Sequence, residues 1–529
     1  MRKSAALLLV LVLTASSIIA FLPVKAETKT IVVPDDYLTI SEAIRNANEG
    51  DTIFVKKGTY EEKTLEIDKT LSLVGEGAEF TKINLEPPRY EVMQPPYYWG
   101  NQTISWFGSS ITVDANYFKL QGFTISTPGT SDMAGGGISI AGNRTQIIGN
   151  IIMTRLSVGG SYWNIAENTL LGDVGVNGSY SSIAGNNFSG YLWAVGSYLN
   201  ISANSKNSSN KVGTMDSGIT VEGSFNIVYG NIVTAEGLVP GIGISGDRTL
   251  VAKNIVDRSD VGMKISGSNN IIIANRITNC RDNSFVPGVG RPTSGVAMRV
   301  SGNNLFYANY IADNTWGIEV NLYSEDNLTS TFYHNNFIGN MHQVATDDLY
   351  DVYGKDSFDN GKEGNYWSDY TGTDADGDGI GDTPYVIDAK RQDRYPLMAP
   401  FDIDSVQLDL LEWMSPPSVR LISPENTTYA SANVTLEFTV NKPTSWIGYS
   451  LDGEANATIT GNTTLPGLSY GSHNITLYAI DLVGRSGASE TIYFSVAEPF
   501  PTILVAVASA ASAAAVAAVL LICFKKRKR

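Results

Sequence analysis

A chain of 529 residues has room for roughly two to four domains. Charged residues make up only 17% of it while Gly accounts for 51 positions, a balance that excludes coiled coils and long solvent-exposed helices. Acidic side chains number 53 against 37 basic ones, a net charge of −16; such a chain repels a phosphate backbone, so no nucleic-acid partner is expected. Two cysteines, Cys280 and Cys523, cannot build a disulfide framework.

In chain order, Arg2 and Lys3 precede an apolar run from Ala5 to Val12, and Val24-Lys25-Ala26 supplies small residues at a cleavage position, so residues 1–26 read as a secretory signal. Residues 27–400 then read as one repetitive domain. From about 110 to 340 a pattern recurs in which a small or polar residue precedes an Asn, and after one variable residue an aliphatic or aromatic one follows: Asn150, Asn168, Asn186, Asn231, Asn254, Asn275, Asn309 and Asn335. The spacings run 18, 18, then 23 and 21 where the series is uninterrupted, a period near twenty that marks a solenoid. Between the Asn positions lie short alternating runs such as Gly137-Ile138-Ser139-Ile140 and Gly262-Met263-Lys264-Ile265, each a strand with one face in a core. Asn tolerates the left-handed backbone conformation, which predicts it as the bend residue of each coil, with its side chains stacked into a hydrogen-bonded ladder. The geometry that meets these demands is a parallel β-helix of roughly twelve coils, ~55–60 Å long at ~4.8 Å per coil. The fold class is therefore mainly β.

The stretch Ile40-Ser41-Glu42-Ala43-Ile44, Gly50-Asp51-Thr52-Ile53-Phe54-Val55, Lys57-Gly58-Thr59-Tyr60 and Ile67 to Gly77 resembles the opening of right-handed β-helices of the pectin-lyase superfamily. That resemblance implies a short helix, Thr39 to Asn48, capping the rod. The closing stretch Gly364-Asn365-Tyr366-Trp367-Ser368-Asp369-Tyr370 and then Asp374 to Asp382 resembles the NosD-like subgroup, also described as carbohydrate-binding and sugar-hydrolase β-helix domains. The likeness covers about Ile31 to Pro400.

Within that closing stretch, Asp374, Asp376, Asp378 and Asp382 fall at positions one, three, five and nine of a calcium loop, with Gly379 turning the chain and the Ile380 carbonyl at position seven. Position twelve, normally a bidentate Glu, is Tyr385, so Asp369 or Asp388 is predicted to complete the site for a structural calcium ion. A second candidate is the insertion from Glu86 to Ser110, whose Tyr97, Tyr98, Trp99 and Trp106 could stack on sugar rings or cover the rod. Asp257, Arg258 and Asp260, or Asp282 with Arg281 and Arg291, are the acid–base candidates, though charged turn residues are the commoner reading of both sets. Copper selects thiolate, thioether and imidazole ligands; His334, Met341 and His342 are too sparse a set for a strong copper site.

After a linker at 401–416, residues 417–497 show spaced strands and turns such as Asp452-Gly453, predicting an immunoglobulin- or fibronectin-like sandwich with Trp446 in its core. Glycosylation sequons cluster there at Asn426, Asn433, Asn456, Asn462 and Asn474. Residues 502–524 form an uncharged apolar run followed by the basic tail 525–529, predicting a transmembrane helix with a cytoplasmic C-terminus and everything before it outside. The sequence thus reads as a cell-surface rod binding a polysaccharide or surface glycan, membrane-anchored at its C-terminus, with its catalytic residues, if any, left open. A polysaccharide lyase or glycoside hydrolase and a NosD-like copper-site maturation factor stand as the alternatives.

Overall fold

The computed structural model describes residues 28–86, 89–93, 103–127, 136–208, 218–235, 240–281, 295–320, 329–345, 356–408, 415–442, 444–481, 485–498 and 502–527. The expected signal segment 1–26 and the ends of several insertions lie outside these residues. The chain divides into two compact units, Met1–Val406 and Gln407–Arg529.

The first unit is a right-handed parallel β-helix. Among the described residues its three sheets hold thirteen strands (sheet A, from Thr30–Val33 to Thr331–Tyr333), thirteen (sheet B, from Gly58–Glu62 to Tyr366–Trp367) and twelve (sheet C, from Leu65–Ile67 to His342–Ala345). Pairing is in register and parallel throughout, so each inward side chain sits on its counterpart one coil away, as in Ile147–Ile165–Ile183–Ile201 of sheet A. Aromatic residues take over the interior columns toward the C-terminal end, where Phe306, Phe332 and Phe358 stack at 4.5 and 4.9 Å and Phe337, Trp367 and Tyr385 at 4.2 and 4.3 Å. At the other end helix α1 (Ile40–Asn46) turns Ile40, Ala43 and Ile44 onto the first coils, with Thr39 accepting from the Glu42 amide at 3.1 Å. The buried Glu62 carboxylate accepts from the Ile40 amide at 2.6 Å, an anion placed on the helix N-terminus.

The corner between sheets A and B carries the predicted ladder. Each Asn in the series from Asn150 through Asn168, Asn186, Asn204, Asn231, Asn254, Asn275, Asn309 and Asn335 to Asn365 is at most 2% exposed. The Asn150 oxygen accepts the Phe123 amide, and from Asn168 onward each side-chain oxygen accepts both the backbone and the side-chain amide of the Asn before it, at 2.9 and 3.0 Å for Asn150 to Asn168 and at 2.9 and 2.9 Å for Asn231 to Asn254. Asn204 escapes the sequence pattern because the inward residue after it is Lys206, which is buried and sends its ammonium to the Ser189 and Gly190 carbonyls at 3.0 and 2.9 Å. The left-handed residue is not the Asn, as expected, but the one before it: Gly149, Glu167, Gly185, Ala203, Gly230, Lys253, Ala274, Ala308 and His334 all have φ between 52° and 66°. The bend falls there because the Asn itself must face inward to meet the preceding coil's amide. The series ends on a carboxylate. Asp393, fully buried, accepts the Asn365 amide at 2.6 Å and the Trp367 indole at 2.8 Å on one oxygen, and the Tyr395 amide at 3.0 Å on the other. Burial pushes this carboxyl up to about 6, with those donors opposing a further rise.

Phe401 pairs with Asn336 through two bonds of 2.8 Å, and Arg276 meets Asp404 at 2.8 Å, so the rod's unit continues through the short 3-10 turn Ile403–Ser405.

The second unit contains a β-sandwich. A three-stranded sheet (Val419–Ser423, Val434–Val440, Thr463–Leu465) and a larger sheet around Gly471–Asp481 and Thr444–Leu451 enclose Val434, Leu436, Leu465, Ile475, Leu477, Ala479 and Phe494. Trp446 is not in this core. Strand alternation turns it to the opposite face from Ile447, where its indole covers Gly448 and donates to Thr458 Oγ1 at 3.0 Å. Helix α2 (Thr502–Lys526) is the one helix among the described residues long and apolar enough to cross a membrane.

Two tests follow from packing. Ile272 lies inward between Val251 and Phe306 and is 0% exposed, whereas Ile271 and Ile273 point out of the rod yet are also buried, at 5% and 7%. Ile272→Asp places a lone carboxylate among apolar coils and is expected to cost about 3–5 kcal/mol, more than the same change at either neighbour; equal losses in thermal melts of the three variants would contradict this register.

His473 in the sandwich faces two acceptors, the Ser469 carbonyl at 2.8 Å and Asp452 at 2.7 Å. The Ser469 carbonyl first, and then the Asp452 carboxylate, raise its pKa above the ordinary 6.5. Because the folded value is the higher, its contribution is complete below about 6.5 and is lost as pH rises through the folded value. The His473→Gln chain is expected to lose that dependence in melts taken from about pH 5 to about pH 8.

Candidate functional site

The Asp-rich loop closes on itself as a turn before any ion is considered. Asp374 accepts from the amides of Gly377 at 2.7 Å, Asp378 at 3.2 Å and Gly379 at 2.9 Å, and these bonds, the Gly379 one foremost, hold its carboxyl below the ordinary carboxylate range. Gly377 and Gly379 have φ of 76° and 89°, which only glycine adopts freely. One oxygen each from Asp374, Asp376 and Asp378 lies within 4.8 Å of the others, the one such acidic or thiol–imidazole trio among the described residues. Asp382 is turned away from that trio, accepting from the Ala375 amide at 2.8 Å and the Thr373 hydroxyl at 3.3 Å. The two carboxylates expected to complete the loop are committed elsewhere. Asp369 accepts from Gln343 at 3.0 Å and from the Tyr385 hydroxyl at 3.1 Å, and Asp388 is paired with the buried Arg391 at 2.8 Å. Ile380 gives its amide to Asp378 at 2.8 Å, and its carbonyl is a further hard oxygen of the loop. Three carboxylates and a carbonyl are oxygen donors of the kind calcium takes, with water filling the other positions.

Of the proposed sugar-stacking residues, Tyr97, Tyr98 and Trp99 lie outside the described residues. Trp106 falls in Thr103–Phe107, a strand paired antiparallel with Arg89–Met93, and only its backbone is described. Of the acid–base candidates, only Asp257 and Arg258 are in direct contact among the described residues. Asp257 is held by Arg258 at 3.1 Å, Thr278 at 2.8 Å and Asn279 at 2.7 Å; the Asp260 carbonyl accepts the Gly295 and Val296 amides; Asp282 and Arg291 lie outside the described residues. The soft ligands are also dispersed in role: His334 bonds Glu363 at 2.8 Å and stacks on Phe401, His342 stacks on Trp316, and Met341 is exposed. Cys280 is fully buried, and burial pushes its thiol up to about 12.

A surface feature not anticipated from sequence lies at the corner from sheet C to sheet A. Tyr117, Arg144, Tyr162, Tyr180, Tyr198, Phe225 and Arg248 occupy this corner in successive coils, each with φ between 56° and 61°. Bulky side chains seldom enter that region, at about 1–2 kcal/mol apiece. The rings of Tyr162, Tyr180, Tyr198 and Phe225 stack with centroids 5.4, 4.8 and 5.0 Å apart and planes within 12°. Arg144 is sandwiched between Tyr117 and Tyr162 at 5.3 and 5.6 Å, and Arg248 covers Phe225 at 5.4 Å. The stack is nevertheless half in water, with Tyr162 and Tyr180 each 54% exposed and Tyr198 41%. Its local cause is the triplet Gly-Ser-aromatic at Gly160-Ser161-Tyr162, Gly178-Ser179-Tyr180, Gly196-Ser197-Tyr198 and Gly223-Ser224-Phe225. The glycine is obligatory, because a Cβ on Gly178 would sit 1.4 Å from the Gly160 carbonyl oxygen. Each serine hydroxyl accepts the next serine's amide at 3.0–3.1 Å, and each Tyr amide donates to the next coil's serine carbonyl. The 18-residue recurrence of this triplet is the signal that could have disclosed the ridge.

Residues 173–372 match the model of a family described as periplasmic copper-binding protein (NosD). The rod is NosD-like. The "probable ABC transporter binding protein NosD" of Pseudomonas aeruginosa is 32% identical over 149 residues, which are 27% of this chain and 33% of that protein. Halomucin of Haloquadratum walsbyi is 37% identical over 89 residues, 15% of this chain and 1% of halomucin. The chain therefore matches a third or less of the length of these relatives. Among solved structures, the A-module of the Azotobacter vinelandii mannuronan C-5 epimerase AlgE6 is 14% identical with a TM-score of 0.38, covering 60% of this chain and 91% of the module. The lidless DFA-IIIase of Arthrobacter chlorophenolicus A6 is 14% identical with a TM-score of 0.40, covering 61% and 96%.

Proposed function

We propose that this NosD-like chain is an extracytoplasmic, single-pass membrane-anchored rod that binds carbohydrate along its side, with helix α2 as its anchor and the basic residues after it in the cytoplasm. The half-exposed aromatic ridge from Tyr117 to Arg248 carries this reading. Its rings are held in place before any ligand arrives, so a glycan contacting it immobilises few side chains. The insertion bearing Tyr97, Tyr98, Trp99 and Trp106 is a second proposed contact. Binding is preferred to lyase or hydrolase chemistry because the Asp257 carboxylate is engaged by Arg258, Thr278 and Asn279. Screening the detergent-solubilised full chain on a broad glycan array, then measuring Kd for a hit, tests the reading. Tyr180→Ala is expected to weaken binding about tenfold, ~1.4 kcal/mol, with the rod still folded by circular dichroism. Failure of the array to return any glycan would overturn it.

We also propose that calcium binds the loop through Asp374, Asp376, Asp378 and the Ile380 carbonyl, with Asp382 bracing the turn. The ion would relieve the repulsion of three clustered carboxylates at the C-terminal end of the rod. A ligand bound only by the folded state stabilises it by about 3 kcal/mol at a hundredfold excess over Kd. Chelation is expected to lower the Tm of the rod's transition in the full chain, and Asp376→Ala to remove that response; an unchanged melt after chelation would argue against the ion.

A further inference from the structure

The ridge presents its rings edge-on, and this decides how it could meet a sugar. The faces of Tyr162, Tyr180 and Tyr198 are each covered by a neighbouring planar group, from Arg144 at one end to Phe225 at the other. A pyranose cannot lie flat on any of them. What reaches water is the ring edge and its phenol group. The Tyr117 hydroxyl already accepts from Arg144 Nη1 at 3.0 Å, whereas the hydroxyls of Tyr162, Tyr180 and Tyr198 have no partner among the described residues. Phe225 ends the series without a hydroxyl. These three phenols belong to consecutive coils of 18 residues each, with no insertion between them.

Resting on the carbohydrate reading above, we propose that Tyr162, Tyr180 and Tyr198 form a comb of hydroxyls that reads a linear, extended β-1,4-linked glycan along the rod axis, one sugar per coil, by hydrogen bonding and not by ring stacking. The comb's teeth are set by ring centroids 5.4 and 4.8 Å apart, and an extended β-1,4-linked chain advances by close to that distance with each sugar. Successive sugars in such a chain are turned over relative to one another, so the edge that faces the rod offers a hydroxyl from every sugar, alternately from its C2–C3 side and its C6 side, and each phenol, a donor and an acceptor, meets one of them. A helically coiled α-linked chain turns its hydroxyls away after a sugar or two and falls out of step. The teeth are rigid, since each Tyr is fixed by its amide bond to the next coil, by the left-handed backbone and by stacking on both faces. Contacts made by one sugar place the next at high effective concentration, so the comb rewards length.

The test uses calorimetric titration of the detergent-solubilised full chain with β-1,4-linked cello-, chito- and manno-oligosaccharides from disaccharide to hexasaccharide, and with malto-oligosaccharides of the same lengths as the coiled control. Affinity is expected to rise about fivefold per sugar until three phenols are engaged, and only in a β-1,4-linked series. The triple variant Tyr162→Phe, Tyr180→Phe, Tyr198→Phe keeps the stacked rings and is expected to retain its melting curve while losing about a hundredfold in affinity for the longer chains. A stacking platform would tolerate that variant. Wild-type affinity in the triple variant, affinity that is flat with chain length, or equal binding of the malto series would each overturn the comb while leaving carbohydrate binding in place. Absence of binding to every glycan on the array removes both readings together.

Discussion

Everything in the rod depends on satisfying the backbone amides at a corner that is buried in every coil. Sheets A and B meet in a bend too tight for solvent, and a buried N–H without an acceptor costs about 1–3 kcal/mol. The Asn column meets that demand with one side chain per coil, whose oxygen takes two donors from the preceding Asn. It also fixes registry. An Asn accepts from the coil before it and donates to the coil after it only when the coils are stacked without slippage, so the ladder and the apolar columns behind it enforce the same alignment. At its end no further Asn is available, and Asp393 closes the chain of donors with an anion that is the stronger acceptor.

The corner from sheet C to sheet A solves the same problem differently and with a different outcome. There the amides are taken by serine hydroxyls and by the serine carbonyls of the next coil, while the residue forced into the left-handed region points its side chain outward. The inner corner hides its polar groups; the outer one displays aromatic groups. The strain of four stacked aromatic residues in an uncommon backbone conformation is offset only in part by the three ring stacks between them, worth ~0.5–1.5 kcal/mol per pair. It is this conjunction of strain with exposure that singles the ridge out from ordinary surface tyrosines.

Much of the architecture was legible in the amino-acid string because a solenoid repeats its physical problem. Asn150, Asn168 and Asn186 announce the coil length directly, and the alternation in Gly262-Met263-Lys264-Ile265 announces a half-buried strand. The misreadings have local causes. The intrinsic tolerance of Asn points to it as the left-handed residue, but an Asn whose oxygen must face the preceding coil leaves the bend to whatever precedes it in the chain, even Glu167 or Lys253. Asn204 was passed over because Lys206 stands where an aliphatic was required. Trp446 was placed in a core on hydrophobicity alone, although strand parity decides the face. In the loop, composition identified three carboxylates that do cluster, while the engagement of Asp369 with Gln343 and Tyr385, and of Asp388 with Arg391, depends on contacts that no local pattern encodes. The ridge is written in the sequence as Gly-Ser-Tyr every 18 residues, in phase with the Asn period and therefore hard to tell from it as a separate motif.

The three uninterrupted coils between Asn150 and Asn204 have a consequence for how such a molecule could change over time. Their upper and lower faces are interchangeable: the same Asn, the same Gly-Ser-Tyr corner and the same aliphatic columns appear on each. In-frame duplication or loss of an 18-residue unit at this point would join surfaces that already fit, altering the rod by one coil height with no new interface to evolve. Length, and with it the number of phenols in a row, is thus a quantity that recombination can adjust in whole steps, as a ruler gains or loses a division.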